Sequence, residues 1–302
     1  MRKSLVAALA TATSATAVLL AGPVTPATAA STYCNQTTPS TSILFYKSGS
    51  GEAGTGTLSD GRWQYKSAFN LPAGYTHAAA SRDSLLLYDK NTGDGEVGTF
   101  TGGRYTRTRT FDNFSTGWTF VEASGDSVIF YNGSTGYGVT GTLKNGTYRQ
   151  VRTYSDFSTG WGTMAASCDT LVAAARHGST EFPWSNVGYG TLQGGVYTDT
   201  GSIPRDDFLG QLTATEDSVL SLARAGDGLE FRVSEATDGS GIDFRKIGTS
   251  GLWDKVGRTS NSLFFYKNDG TAWTSTLVNG NYTNVGPLPQ VSSGWSLIEG
   301  GV

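Results

Sequence analysis

The sequence is poor in the side chains that most catalytic and metal sites require. It has 302 residues but only two histidines, His77 and His177, two cysteines and two methionines. It contains no HExxH or HxH arrangement and no GxSxG nucleophile motif, and its many glycines are explained by turns. Two cysteines without a nearby histidine cluster also fall short of the ligand set of a zinc site. We therefore expect no metal, no cofactor and no enzyme of these classes.

Positive charge is scarce as well. Lys and Arg number 22 against 25 Asp and Glu, and the formal net charge is -3. A weakly acidic chain argues against nucleic acid as a partner, because phosphate binding depends on clustered Lys and Arg. It also argues against electrostatic attachment to a membrane surface.

Long apolar runs are absent except at the N-terminus. There, two basic residues precede an apolar stretch from Leu5 to Leu20, and Ala27-Thr28-Ala29 has the small-x-small pattern of a cleavage site. The stretch is short and interrupted compared with the ~20 residues of a spanning helix. Residues 1–30 are therefore predicted to be a Sec-type secretory signal peptide. Residues 31–302 are predicted to form the secreted, extracellular protein, with no membrane insertion.

The two cysteines suit an exported protein. An oxidising compartment favours disulfides, and Cys34 and Cys168 are the two candidates. A Cys34–Cys168 bridge would tie the N-terminus of the mature chain to the middle of the domain.

Six copies of one unit fill almost all of the mature chain. Each copy begins with a short apolar strand, and successive strands start 42 to 48 residues apart. The strands start near residues 42, 84, 127, 170, 218 and 262. In the third copy the unit reads DSVIFYNGSTGYGVTGT over residues 126–142 and closes on FSTGW at residues 157–161.

Turn signals divide each unit into short strands. A two-residue turn such as Asn145-Gly146 or Asn279-Gly280 follows the second strand in five copies. These dipeptides tolerate positive φ at both turn positions and are typical of β-hairpins. An Asp or Asn, for example Asp126, precedes the first strand in the last five copies and is predicted to cap a tight turn. The fourth strand follows a small-Gly-aromatic element such as Thr159-Gly160-Trp161.

Four short strands repeated at this period are typical of propeller blades. A closed ring of blades covers the sheet faces and removes the sheet edges. The predicted fold is all-β, a six-bladed β-propeller with four short antiparallel strands per blade over residues 31–302. The pattern leaves open whether each repeat forms one blade, or whether residues 31–40 supply a strand that completes the last one.

The pattern FYxxxTGxGxxGTL, followed by an FxxGWT-like element, resembles the tachylectin-like repeats of secreted propeller lectins. The resemblance covers the mature chain as a repeat style, and the fourth and fifth copies depart from it. Proteins with such repeats include propeller-lectin subunits of the umbrella toxin particles of high-GC soil bacteria. The resemblance therefore implies carbohydrate binding, and it adds the hypothesis that the chain is a targeting subunit of a secreted assembly.

Aromatic residues near polar turns are the candidates for carbohydrate binding, because a sugar ring stacks on an aromatic face while polar groups hold its hydroxyls. Several weak sites of this kind would act together through avidity. The alternative is that these rings pack between blades. The two interpretations are compatible if one set of rings belongs to the core and the other lines grooves. The candidate ligand-binding residues are Tyr75, Trp118, Trp161 and Trp295 in the small-Gly-aromatic elements, and Tyr46, Tyr88, Tyr131 and Tyr266 at the strand ends.

The fourth and fifth copies differ from the others. Ala174 and Leu222 replace the strand-end tyrosine, and an arginine follows each of them two residues later. Arg and Trp are typical anchors of protein interfaces, so this sector is a candidate surface for docking other subunits of a secreted complex. Drift within the repeat is the alternative. The candidate docking residues are Arg176, Trp184, Arg205 and Arg224.

A propeller glycosidase or lyase is the third hypothesis. Glycosidases need a pair of carboxylates that flank one bond, and Glu52, Glu96, Glu122 and Glu230 are not set apart in that way by the sequence. The leading prediction is therefore a non-catalytic, lectin-like protein that recognises cell-surface glycan or polysaccharide.

Overall fold

The structure is a computed structural model that describes residue 34 and residues 39–175, 185–205, 210–225, 227–289 and 291–302. The described residues form 24 β-strands in six antiparallel sheets of four strands each, with no helix among them. This confirms the all-β, six-bladed propeller. Consistent with the absence of helices, the described ranges hold no apolar helix of membrane-spanning length. The proposed signal peptide, residues 1–30, lies outside the described residues.

Each blade is numbered by its position around the ring, and its strands run from the axis outward. Blade 1 consists of β24 (Leu297–Gly300), β1 (Ser42–Tyr46), β2 (Glu52–Ser59) and β3 (Arg62–Asn70). Blade 2 consists of β4 (His77–Ala80), β5 (Ser84–Tyr88), β6 (Gly95–Thr101) and β7 (Arg104–Phe111). Blade 3 consists of β8 (Phe120–Ala123), β9 (Ser127–Asn132), β10 (Tyr137–Lys144) and β11 (Thr147–Tyr154).

The second half of the ring repeats this order. Blade 4 consists of β12 (Trp161–Ala166), β13 (Thr170–Ala175), β14 (Ser185–Gln193) and β15 (Val196–Arg205). Blade 5 consists of β16 (Gln211–Ala214), β17 (Ser218–Ala225), β18 (Gly228–Glu235) and β19 (Arg245–Ser250). Blade 6 consists of β20 (Lys255–Arg258), β21 (Ser262–Tyr266), β22 (Ala272–Val278) and β23 (Asn281–Pro287).

The C-terminal strand closes the ring. β24 pairs antiparallel with β1, with Glu299 opposite Leu44, so the two ends of the propeller share blade 1. The fourth strand of each sequence repeat is thus the inner strand of the following blade. This settles the phase that the repeat pattern leaves open, since the inner strand of blade 1 comes from the C-terminus.

Burial follows position within the blade. The second strand of a blade lies between two neighbouring strands and two neighbouring blades, and all five residues of Ser84–Tyr88 are buried. The outermost strand faces solvent, and most of Arg104–Phe111 is exposed. The continuous apolar runs in the sequence therefore mark the second strands, while the outer strands are rich in Arg, Thr and Tyr. The hydrophobic clusters lie between adjacent blades, where the sheets pack face to face.

Each two-residue turn is held by the neighbouring blade. At Asn145-Gly146 both φ angles are positive, 53° and 66°, as the dipeptide predicts. The backbone N–H of Asn145 donates to Oδ1 of Asp83 at 3.0 Å, and that of Gly146 donates to Oγ of Ser84 at 2.8 Å. Asp126-Ser127 holds Gly194-Gly195 in the same way. The predicted capping aspartates do cap turns, and the turn belongs to the next blade.

The predicted disulfide is present. Cys34 and Cys168 are bonded with a Cα–Cα distance of 5.6 Å and a separation of 134 residues along the chain. Cys168 lies between β12 and β13 in blade 4, next to the axis, where its backbone N–H donates to the carbonyl of Glu216 in blade 5. The bridge therefore ties the N-terminal segment to the middle of the ring.

Candidate functional site

Five blades carry an aromatic residue at one equivalent position, at or just before the start of the inner strand. The equivalence follows from strand register: Thr163 pairs with Ala174 and Lys255 pairs with Tyr266, at matching ends of the second strand. Trp161 and Trp253 each lie two residues before these pairs. By the same register the set is Tyr75, Trp118, Trp161, Trp253 and Trp295.

Three of the five aromatics are closed off from solvent. Trp118 is 5% exposed, because the ring of Tyr137 stacks on it with centroids 5.8 Å apart. Trp295 is 8% exposed, and the ammonium of Lys47 lies 4.8 Å from its ring centroid. Tyr75 is buried, and its hydroxyl donates to Oε2 of the fully buried Glu96 at 2.9 Å.

The other two, Trp161 and Trp253, are partly exposed. The covering position that Tyr137 occupies in blade 3 is filled by Asn186 in blade 4 and by Thr271 in blade 6, according to the register of the second and third strands. Both replacements are short and polar. Among the described residues, a groove is therefore left open beside the tryptophan in these two blades.

The blade 4 groove lies between blades 3 and 4 and has a volume of about 280 Å³. Trp161 supplies its aromatic wall, and Asp156 reaches it from the loop of blade 3. Asp199 is exposed in β15, and its Oδ1 accepts a hydrogen bond from the N–H of Gly201 at 2.9 Å, which fixes the side chain. The other polar side chains of the lining are Asn186, Ser202, Ser158 and Tyr197.

The blade 6 groove lies between blades 5 and 6 and has a volume of about 510 Å³. Trp253 and Trp273 supply aromatic surface, and the indole N–H of Trp273 donates to Oδ1 of Asn284. The ammonium of Lys267 lies 5.4 Å from the ring centroid of Trp253. The remaining side chains of the lining include Thr271, Thr249, Ser250, Tyr282, Ile247, Phe231 and Phe265.

The two grooves are built from equivalent positions. Leu192 pairs with Tyr197 in blade 4 as Leu277 pairs with Tyr282 in blade 6, and Asp199 and Asn284 follow these tyrosines by two residues. Burial raises the pKa of both Tyr197 and Tyr282 above the ordinary phenol value, so each remains a neutral hydroxyl at physiological pH. At these matching positions each groove thus has a tryptophan, a phenol and an Asp or Asn side chain.

The strand-end tyrosines have a different role from the one considered for them. Tyr46, Tyr88, Tyr131 and Tyr266 are fully buried. Each hydroxyl donates to a backbone carbonyl in the loop that leads to the next inner strand, at Pro72, Ser115, Ser158 and Ser292 respectively. A sugar ring has no access to them, so these residues pack and tie adjacent blades.

Among the eight aromatic candidates from the sequence, Trp161 is the one that lines either groove. Trp253 has the equivalent place in blade 6, and the sequence pattern missed it because Leu252 shifts the Gly-aromatic spacing by one residue. Asp199 and Asn284 were missed as well. Their common spacing from the turn, four to five residues on, is the signal that would have found them.

The docking candidates are only partly visible. Arg176 and Trp184 lie outside the described residues. Arg205 is the last residue of strand β15, and the structure describes its backbone only. Arg224 is exposed and lines a hollow of about 420 Å³ at the mouth of the axis. Ala174 and Leu222 also line this hollow. The loss of the two strand-end tyrosines therefore coincides with an opening at the axis.

Carboxylates also converge on the axis, which the sequence did not reveal. Nη2 of Arg258 in blade 6 lies 3.3 Å from Oε2 of Glu122 in blade 3, and its Nε lies 3.2 Å from Oε1 of Glu299 in blade 1. The Arg258 side chain is 3% exposed, while Glu122 and Glu299 are 24% and 18% exposed. A second pair joins Arg82 of blade 2 to Glu216 of blade 5.

Protonation of this axial cluster is governed by burial. Desolvation raises the pKa of Glu122 to about 8, against the opposing influence of Arg258, and the nearby Glu299 raises it further. Desolvation also raises the pKa of Glu299. Two carboxylates share one guanidinium, and burial favours the protonated form of each. Within the described ranges, no three His, Cys, Asp or Glu side chains are grouped so as to hold a metal ion.

Comparisons with known proteins show the fold alone. No family model and no curated protein matches the chain. A Bacteroides fragilis protein proposed to be a 6-phosphogluconolactonase aligns with 86% of this chain and 98% of its own at 10% identity, with a TM-score of 0.52. A protein of the same description from Bacteroides uniformis aligns with 86% of this chain and 99% of its own at 12% identity, with a TM-score of 0.53.

A chain from a crystal structure of a nidogen/laminin complex aligns with 87% of this chain and 98% of its own at 10% identity, with a TM-score of 0.53. At such identities the likeness carries the propeller architecture and no function. The class that fold and grooves define is a six-bladed propeller with two repeat-related surface grooves.

Proposed function

We propose that the protein is a secreted, non-catalytic, carbohydrate-binding propeller that recognises cell-surface glycan or polysaccharide through the blade 4 and blade 6 grooves. The observation that carries the proposal is the repetition. Trp161 with Asp199, and Trp253 with Asn284, recur at the same register in two blades, each beside an open groove.

The chemistry of the grooves suits sugars. An indole offers an apolar face with a polar edge, against which the C–H face of a pyranose can stack. Carboxylate, amide and hydroxyl groups beside it accept and donate the hydrogen bonds that sugar hydroxyls require. Both grooves are shallow enough that a single site should bind weakly, and two sites on one rigid ring would gain affinity through avidity on a surface carrying many copies of a glycan.

Secretion belongs to the same proposal. It is supported by the N-terminal pattern of residues 1–30 and by the disulfide, since structural disulfides persist in oxidising compartments.

A glycan array probed with residues 31–302 tests the proposal. We expect binding to a restricted set of glycans, and we expect the Trp161→Ala/Trp253→Ala double variant to lose it while remaining folded by circular dichroism. The matched control is Tyr65→Ala, which removes an exposed aromatic that lines neither groove. An array without any bound glycan would remove the basis for the proposed function.

A second candidate function is docking to other subunits of a secreted assembly. It is favoured by the hollow at the axis, where Ala174 and Leu222 replace tyrosines and Arg224 is exposed. Arginine beside apolar surface is typical of interface anchors. Affinity capture from the culture supernatant of the native producer tests this candidate: a co-purifying subunit that is lost with Arg224→Ala supports it, and recovery of monomer alone counts against it.

A further inference from the structure

The blade 4 and blade 6 grooves share a register but differ in charge. The blade 4 groove has two carboxylates, Asp156 and Asp199, and no Lys or Arg among the described residues of its lining. The described lining of the blade 6 groove has one ammonium, Lys267, and no Asp or Glu. At the register of Asp199 it carries the neutral Asn284 instead.

The charged groups are placed where a sugar would lie. Trp161, Asp156 and Asp199 line the same groove of about 280 Å³, so an ammonium on a sugar stacked against the indole would be close to both carboxylates. In the blade 6 groove the ammonium of Lys267 lies over the ring of Trp253. An acid group on a sugar bound in this groove would meet that cation beside the aromatic surface of Trp253 and Trp273.

Neighbouring groups leave these charges available. Oδ1 of Asp199 accepts the N–H of Gly201, and Oδ2 takes no part in that bond. Asp269 is close enough to Lys267 to be influenced by its charge. However, Asp269 accepts the N–H of Thr271 at 2.8 Å and does not line the groove.

We propose that the two grooves select sugars of opposite charge: the blade 4 groove binds amino sugars with a protonated amine, and the blade 6 groove binds sugars with a carboxylate, such as uronic acids. The proposal rests on the carbohydrate-binding function proposed above and names the ligand class of each groove. Charge-assisted hydrogen bonds are roughly twice as strong as neutral ones, so each groove attracts a sugar of the matching charge. A sugar with the wrong charge is repelled, and both effects increase the selectivity of the groove.

Calorimetric titration at pH 6 with three tetrasaccharides tests the proposal. The probes are a glucosamine oligomer, a galacturonic acid oligomer and a neutral N-acetylglucosamine oligomer. The protein is used as residues 31–302, with the variants Asp199→Asn and Lys267→Gln, which keep the size of each side chain and remove its charge.

We expect Asp199→Asn to weaken binding of the glucosamine oligomer about tenfold and to leave the galacturonic acid oligomer unaffected. We expect Lys267→Gln to have the reverse pattern. A tenfold loss corresponds to about 1.4 kcal/mol. Raising the salt concentration should weaken the binding of both charged oligomers and leave the binding of the neutral one unchanged, since salt screens exposed charges.

Two control variants match these changes in closed blades. Lys47→Gln removes the lysine at the register of Lys267, above the buried Trp295, and Asp112→Asn removes an exposed aspartate from the loop of blade 2. Neither should alter the affinity of any oligomer.

The outcomes separate the two proposals. If the neutral oligomer binds as tightly as both charged ones, and binding is lost with Trp161→Ala or Trp253→Ala, charge selection is wrong while carbohydrate binding stands. If Asp199→Asn and Lys267→Gln affect the same oligomer equally, charge selection is also wrong. If no oligomer binds and the glycan array is silent, the proposed function itself fails.

Discussion

Arg258 reaches across the axis of the ring to Glu122, with Nη2 and Oε2 3.3 Å apart. The two residues belong to blades 6 and 3, which lie on opposite sides of the propeller. Arg82 and Glu216 join blades 2 and 5 in the same manner. The ring is therefore fastened from within by two cross-axis ion pairs, in addition to the pairing of β24 with β1 at its seam.

The axial glutamates should make stability depend on pH. Glu122 has a pKa of about 8 in the folded chain, whereas an unfolded glutamate has a pKa of about 4.3. Between these values the folded state holds the extra proton, so stability should fall as pH rises from about 5 to about 8. Glu299, whose pKa is also raised, acts with the same sign.

Calorimetric Tm values from pH 5 to pH 9 measure this dependence. The Glu122→Gln variant keeps a hydrogen-bonding side chain and cannot titrate, so its decline should be shallower than that of the native protein. Identical slopes for the two proteins would show that Glu122 does not hold the proton.

Removal of the disulfide should destabilise the whole ring. The bridge between Cys34 and Cys168 closes a loop with a separation of 134 residues, and loss of a native disulfide costs about 2–5 kcal/mol. The Cys34→Ala/Cys168→Ala variant should show this loss in denaturant unfolding. Reductant should lower the free energy of unfolding of the native protein to that of the variant, and it should leave the variant's value unchanged. If complete reduction does not change the stability of the native protein, the prediction is wrong.

The inter-blade turn caps should each contribute measurably. Asp126→Ala removes the carboxylate that accepts the N–H of Gly194 at 3.0 Å, and the loss should be about 1.5–3 kcal/mol because the acceptor is charged. Asp112→Ala, an exposed aspartate outside any turn cap, should change stability by less than about 0.5 kcal/mol. Equal effects in urea unfolding would mean that the cap contributes no stability.

The aromatic positions should separate into packing and binding residues. Trp118→Ala opens a cavity under Tyr137 and should cost about 3–5 kcal/mol. Trp161→Ala and Trp253→Ala remove partly exposed rings and should cost less, while they abolish binding in their own groove. Thermal unfolding and glycan binding measured on all three variants test this. Loss of stability in all three with no selective loss of binding would place Trp161 and Trp253 with the packing residues.

The repeat made the architecture predictable from the sequence. The apolar run ending in Tyr131 and the Asn145-Gly146 turn are local signals, and local signals define strands and hairpins. Their period defines the number of blades. The contact partner of Asp126 was harder to predict from the sequence, because the turn that it caps at Gly194 lies in another blade.

The site was predictable only in part, because exposure depends on contacts that the repeat does not encode. Trp118 and Trp161 occupy equivalent sequence positions, yet Tyr137 covers the first and Asn186 leaves the second accessible. The axial cluster could not be predicted from the repeat, because Glu122 and Arg258 belong to opposite blades and meet across the axis of the ring. The deviations in blades 4 and 5 proved informative, as Ala174 and Leu222 both line the axial hollow.

The most direct test of the account is a crystal structure of residues 31–302 with the glycan that binds best on the array. We expect a sugar ring stacked on Trp161 with hydrogen bonds to Asp199, or stacked on Trp253 with contacts to Asn284 or Lys267. A glycan bound in the axial hollow beside Arg224, or elsewhere on the surface with both grooves empty, would contradict it.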